Sequence, residues 1–125
     1  MSEQLRIMIC DDSILTRRQM KNNLTDSFSC EIVEAANGAI ALEEYKKQKP
    51  DLIFLDIVMP VKDGLTTAKE ILEYDPEACI VIASSVCTQK NLQEAFQAGV
   101  KDFIQKPVTQ QDLQRVVPAV LERRK

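Results

Sequence analysis

The sequence predicts an α/β domain: a doubly wound, five-stranded parallel sheet flanked by five helices. Three observations carry that expectation. Five short apolar runs lack polar alternation, as strands buried on both faces do. Between and after them lie segments whose apolar residues recur at helical spacing. The two kinds of segment alternate strictly along the chain, which gives a parallel sheet with helical crossovers. With 125 residues, 45% of them apolar, a single domain spanning residues 1–125 with one continuous core is expected.

Leu5-Arg6-Ile7-Met8-Ile9-Cys10 is a compact apolar run, read as the first strand, and it ends abruptly at Asp11-Asp12. Ser13 is suited to cap the next segment, in which Met20, Leu24 and Phe28 recur every four residues. An amphipathic helix to about Ser27 is expected, with Arg17, Arg18 and Lys21 on its wet side. Cys30 to Ala35 gives the second strand, closed by Asn37-Gly38. Ala39, Leu42 and Tyr45 then line one helical face, with Glu43, Glu44, Lys46 and Lys47 outside, until Lys49-Pro50 ends the helix.

Pro50-Asp51-Leu52-Ile53-Phe54-Leu55 carries the third strand, and Asp56 follows where the apolar run should turn. That carboxylate is presented at a strand tip. Pro60 and Gly64 punctuate the loop beyond it, Leu65, Ala68, Ile71 and Leu72 repeat at helical spacing, and Asp75-Pro76 stops that helix. Cys79 to Ala83 is read as the fourth strand, ending in Ser84-Ser85. Thr88 and Asn91 both suit the start of the next helix, and Gly99 its C-terminal cap. Val100 to Gln105 forms a short fifth strand before Lys106-Pro107. The last helix starts near Gln110, with Leu113, Val116, Val117, Val120 and Leu121 apolar. Pro118 removes a helical hydrogen bond at a cost on the order of 3 kcal/mol, so a kink or early end is expected there.

Composition narrows the function classes. A net charge of -3 leaves no basic footprint, so direct nucleic-acid binding is not expected. No apolar run approaches the roughly 20 residues that cross a bilayer, and Met1-Ser2-Glu3-Gln4 lacks a secretory pattern. No membrane insertion and a cytoplasmic location are therefore expected. Cys10, Cys30, Cys79 and Cys87 show no Cys-x-x-Cys spacing and are read as reduced core thiols. Histidine is absent, which rules out Ser-His-Asp and Cys-His triads and His-ligated zinc.

In a parallel sheet of this kind ligands bind beyond the carboxyl ends of the strands. There the polar tips gather: Asp11-Asp12, Asp56, Ser84 and Lys106. Converging carboxylates repel unless a cation neutralises them. A hard, oxygen-preferring ion such as Mg2+ fits Asp11 or Asp12, Asp56 and a loop carbonyl. Magnesium invites phosphate, an aspartate is a known nucleophile in phosphoryl transfer, and Lys106 and Ser84 are suited to its oxygens.

Asp11-Asp12, Leu55-Asp56-Ile57-Val58-Met59-Pro60 with Asp63-Gly64, Ser84 and Lys106-Pro107 together resemble the receiver domain of response regulators, in its stand-alone form. The resemblance spans almost the whole chain and implies the flavodoxin-like strand order 2-1-3-4-5. It makes Asp56 the phosphoacceptor, with Ser84 and Lys106 binding the phosphoryl oxygens. Asp12 would ligate Mg2+ directly, Asp11 partly through water, and Asp56 and the Val58 carbonyl would complete the protein ligands. Phe103 stands where the family has its switch aromatic, coupled to the hydroxyl of Ser84. The implied phosphodonor is a phosphohistidine on a sensor histidine kinase. The implied output is altered binding of a downstream protein through the face of the fourth helix, fifth strand and fifth helix, with chemotaxis as one setting. Such a domain catalyses its own phosphorylation and dephosphorylation without being a turnover enzyme. Two other readings stand beside it. A haloacid-dehalogenase-like phosphatase would need an Asp-x-Asp motif, but Val58 occupies the second position after Asp56. A phosphate-independent binding module would not need the full set of tip residues.

Overall fold

The computed structural model describes residues 4–59, 62–86 and 88–123. Five strands, β1 (Leu5–Cys10), β2 (Cys30–Ala35), β3 (Leu52–Leu55), β4 (Ile80–Ser84) and β5 (Asp102–Gln105), alternate with five helices. These are α1 (Ile14–Ser27), α2 (Gly38–Gln48), α3 (Gly64–Tyr74), α4 (Gln89–Ala98) and α5 (Gln110–Arg123). The sheet order is β2-β1-β3-β4-β5 and every pairing is parallel. The order reverses between β1 and β3, so the crevice beyond their carboxyl ends is the ligand position that this topology creates.

Right-handed crossovers place the helices on opposite faces according to the direction in which the chain winds. On one face Met8, Cys10, Ile53, Leu55, Ile80 and Ile82 meet Ala41 and Tyr45 of α2, Ala68 and Ile71 of α3, and Ala95 of α4. On the other, Ile7, Ile9, Leu52, Phe54 and Val81 meet Met20 and Leu24 of α1 and Leu113, Val116, Val117 and Val120 of α5. Alternate residues of each strand thus serve different layers, which is why the strands read as unbroken apolar runs.

The helix starts follow local chemistry. Ser13, Asn37, Asp63 and Thr88 each accept an N–H from three residues on, at Thr16, Ile40, Thr66 and Asn91. Thr88, and not Asn91, therefore caps α4. At α5, Thr109 Oγ1 accepts the Asp112 N–H while Asp112 Oδ2 accepts that of Thr109, a reciprocal capping pair. Gly99 ends α4 at φ 113°, in the left-handed region that favours glycine.

Several details differ from the sequence expectations. The fourth strand is shifted by one residue, so Ser84 is its last member, and the fifth begins at Asp102. The buried face of α2 is Gly38, Ala41 and Tyr45, while Ala39 is exposed. The reason is steric: a Cβ on Gly38 would lie 1.9 Å from Thr67 Oγ1, so α2 closes on α3 through this glycine. α5 continues past Pro118. Pro118 and Gln114, whose carbonyl loses its helical donor, are both exposed, so water can replace the missing N–H. Cys10, Cys30 and Cys79 are buried and in no disulfide, as expected of core thiols, whereas Cys87 and Pro60 lie outside the described residues. Among the described residues no helix is long and apolar enough to cross a membrane.

Candidate functional site

At the carboxyl end of β1 the backbone is fixed on both sides. The Asp11 N–H donates to the Ala35 carbonyl at 3.1 Å, and the Asp56 N–H donates to the Cys10 carbonyl at 3.0 Å. Asp11 and Asp56 thereby emerge beside one another from adjacent strands. Both are buried, at 3% and 7% exposure. Asp12 is exposed, yet one carboxylate oxygen from each of the three lies within 4.8 Å of the others.

Lys106, just beyond β5, is the cation that reaches this group. Its Nζ donates to Asp11 Oδ2 at 2.5 Å and to Asp56 Oδ2 at 3.0 Å. Burial pulls the ammonium pKa down, but the hydrogen bonds and charges of Asp11 and Asp56 outweigh it and the net shift is upward. Lys106 is thus held protonated. Asp11 Oδ1 accepts the Ser13 N–H at 2.9 Å, and Asp56 Oδ1 accepts the Val58 N–H at 3.3 Å. The Val58 side chain points outward and is 57% exposed, leaving its backbone as what it offers the site.

Among the described residues, three carboxylates against one ammonium leave an excess of negative charge in a partly desolvated crevice. The donor set is all hard oxygen, and among the described residues the Asp12 carboxylate has no hydrogen-bond or ion-pair partner. These features fit a hard divalent cation of the Mg2+ type far better than a soft metal, which would prefer sulfur or imidazole.

Ser84 is fully buried and its Oγ accepts the Val86 N–H at 3.2 Å. The Lys106 N–H donates to the Ser84 carbonyl at 3.0 Å, which ties the ends of β4 and β5 together. Phe103 is half-buried and packs on the α2–α4 layer. Its register partner Ile82 faces the same layer, and Ser84 lies two residues beyond Ile82, so Ser84 and Phe103 share one face of the sheet. The structure therefore brings Asp11, Asp12, Asp56 and Lys106 into one cluster and puts Ser84 at its rim, with Phe103 behind.

Three residues contribute in ways that the sequence does not announce. Arg17, expected on the wet face of α1, instead reaches back so that Nη1 donates to the Asp11 carbonyl at 2.6 Å. Gly64, which the sequence marks as loop punctuation and as part of the Asp63-Gly64 motif, has a steric role besides: a Cβ there would lie 1.9 Å from the Asp56 carbonyl oxygen. The start of α3 is pressed against the Asp56 backbone, with the Gly64 N–H donating to the Ile57 carbonyl at 2.8 Å. Cys10 lies beneath the carboxylates, its Sγ 3.4 Å from Met59 Sδ. Burial, followed by the charges of Asp11 and Asp56, pushes its thiol up to about 12, so it stays protonated and unreactive at neutral pH. The Gly64 signal is legible as a glycine opening a helix, Cys10 follows from its place next to Asp11 in β1, and the Arg17 contact depends on side-chain reach.

Comparison with known proteins bears on the family and the fold. The family model for the response regulator receiver domain matches residues 7–118. The chemotaxis protein CheY of Bacillus subtilis (strain 168) is 44% identical over 102 residues, which cover 82% of this chain and 85% of that protein. A chain in the crystal structure of the CheX-CheY-BeF3-Mg2+ complex from Borrelia burgdorferi is also similar. That crystal structure aligns at a TM-score of 0.86 with 32% identity, covering 92% of this chain and 88% of the other. A CheY-like receiver domain from Methanospirillum hungatei shares the fold, with a TM-score of 0.92 at 22% identity over 98% of this chain and 97% of that one. On its sequence, its strand order and its similarity to CheY, the chain belongs to the receiver domain family of two-component response regulators.

Proposed function

We propose that this chain is a phosphorylation-controlled signalling switch, with Asp56 as the phosphoacceptor. The observation that carries the reading is the packing of Asp11, Asp12 and Asp56 within 4.8 Å around a single ammonium, that of Lys106. Such a site repels its own charges until a cation and a phosphoryl group rearrange them.

Asp11, Asp12, Asp56 and the Val58 carbonyl are the groups that would hold Mg2+. Bound there, the ion would neutralise phosphoryl charge and orient the group for in-line transfer. An Asp56 oxygen attacks the phosphorus of an N-phosphorylated imidazole on a sensor histidine kinase. The new P–O bond forms as the P–N bond breaks, and the imidazole leaves with the electron pair. Lys106 moves its ammonium from Asp56 onto a phosphoryl oxygen. Ser84 can go on accepting the Val86 N–H while its own proton turns to another, because a hydroxyl both donates and accepts. Phe103, on the same face of the sheet, follows that shift inward. The output is a change in the α4–β5–α5 face, read by a downstream protein in the cytoplasm, as in chemotaxis. The chain acts on itself and turns over no separate substrate.

The test is phosphoryl incorporation from acetyl phosphate, followed by intact-protein mass spectrometry. One phosphoryl group per chain is expected in the presence of Mg2+ and none in its absence or in Asp56→Asn. Labelling that persists in Asp56→Asn would refute the assignment.

A further inference from the structure

Arg17 has no part in the chemistry above, yet it is among the most firmly held charges near the site. It sits in the first turns of α1, and its side chain runs back toward β1. Nη1 donates to the Asp11 carbonyl at 2.6 Å, Nε pairs with Glu34 Oε1 on β2 at 2.9 Å, and only 12% of the side chain is exposed. The planar guanidinium suits this double duty, because its donors leave in fixed directions toward two different acceptors. With Glu34 balancing its charge, the group works as a brace between α1, β2 and the tip of β1.

The braced carbonyl belongs to the peptide that joins Asp11 to Asp12. Asp11 has other anchors in Ser13 and Lys106. The Asp12 carboxylate has none among the described residues, and it stands within 4.8 Å of two like charges that push it toward solvent. What keeps it there is the backbone from which it grows. We propose that Arg17 is a positioning residue for the Mg2+ site. By locking the Asp11–Asp12 peptide it holds the Asp12 carboxylate against its neighbours' repulsion, so that the acidic cluster is formed before the ion arrives. The inference rests on the Mg2+ reading of the cluster and names a residue outside it. Groups that orient ligands in this way are part of a metal site's affinity even when they never touch the ion.

The experiment is calorimetric titration of the full chain with Mg2+ alone, in wild type, Arg17→Ala, Arg17→Lys and Glu34→Gln. Arg17→Ala should weaken Mg2+ binding about 10-fold. Arg17→Lys should recover part of that loss, since one ammonium can hold the carbonyl but lacks the fork that also engages Glu34. Glu34→Gln, which leaves the carbonyl contact in place, should weaken binding less than Arg17→Ala and guards against a simple folding defect. In phosphoryl incorporation the Mg2+ concentration for half-maximal rate should rise in Arg17→Ala, while the rate at saturating Mg2+ stays at the wild-type value. Unchanged affinity in Arg17→Ala would overturn the proposal, and so would tighter binding, the result expected if Arg17 were only a nearby positive charge. A wild type that binds no Mg2+ would instead overturn the Mg2+ reading itself, so the two failures are distinguishable.

Discussion

Aspartates stand at both ends of the sheet, and the protein treats the two sets differently. At the amino ends of the strands, Asp51 Oδ2 accepts the Arg6 N–H at 2.9 Å, and Asp51 returns its own N–H to the Arg6 carbonyl at 2.7 Å. Nearby, Asp75 accepts the Tyr45 hydroxyl at 2.8 Å and the Glu77 N–H at 3.1 Å, beside a Tyr45–Tyr74 edge contact with centroids 6.4 Å apart. Each of these carboxylates has neutral donors supplied by the chain and ties a turn to its neighbour. At the carboxyl ends, three carboxylates crowd together around one lysine. The same side chain is a lock where the chain supplies its partners, and a binding group where it supplies too few. Crowding of like charges, more than acidity, marks the functional end.

The largest effect that tests this contrast is expected for Lys106→Met. It removes the cation within reach of two buried carboxylates, and stability should fall by about 2 kcal/mol in urea denaturation without Mg2+. Calorimetric Mg2+ affinity should rise, because a competing positive charge is gone. Wild-type stability with unchanged affinity would mean that the cluster is balanced in some other way. Gly64→Ala probes the backbone of the same end. Its Cβ would lie 1.9 Å from the Asp56 carbonyl oxygen and 2.8 Å from Ile57 Cα, both fixed backbone atoms. A loss of about 2 kcal/mol is expected, together with reduced labelling of Asp56. A fully stable, fully labelled Gly64→Ala protein would show that the loop yields easily.

At the opposite end, Tyr45→Phe should cost about 1 kcal/mol near neutral pH and leave Mg2+ binding untouched. Its pH dependence has a definite sign. Burial, and then the hydrogen bond and charge of Asp75, raise the Tyr45 hydroxyl above its ordinary value of 10.0. The folded protein therefore holds this proton more tightly than the unfolded chain does. The resulting stability is present below about pH 10 and is lost as pH rises toward the folded-state value. Denaturation of both proteins from pH 8 upward should show the wild-type advantage shrinking above about pH 10. A difference that stays constant with pH would contradict this.

What the sequence reveals follows the same division. Burial on both faces leaves its mark in unbroken apolar runs, so all five strands and all five helices were legible, as were the polar tips that gather at one end. The strand order came with the family resemblance, because periodicity does not say which strands are neighbours. Reach and sterics left no such mark. Arg17 is taken as solvent-facing from its charge, although it stands three and seven residues before Met20 and Leu24 on the buried stripe of α1, and its length carries the guanidinium on to the Asp11 carbonyl. Gly38 looks like turn punctuation, whereas its role is to admit Thr67. Pro118 looks like a terminator, but it sits on the exposed face of α5, where the carbonyl that loses its donor is open to solvent.

The most direct measurement sets the two ends against each other: urea denaturation of wild type, Asp56→Asn and Asp75→Asn, each with and without Mg2+. Without the ion, Asp56→Asn should gain about 1 kcal/mol by relieving repulsion, and Asp75→Asn should lose about 1 kcal/mol with its charged acceptor. Mg2+ at ten times its dissociation constant should stabilise wild type and Asp75→Asn by about 1.4 kcal/mol, and Asp56→Asn much less. Equal destabilisation of both variants, with equal Mg2+ stabilisation of all three proteins, would contradict the assignment of the excess charge at Asp56 to ligand binding.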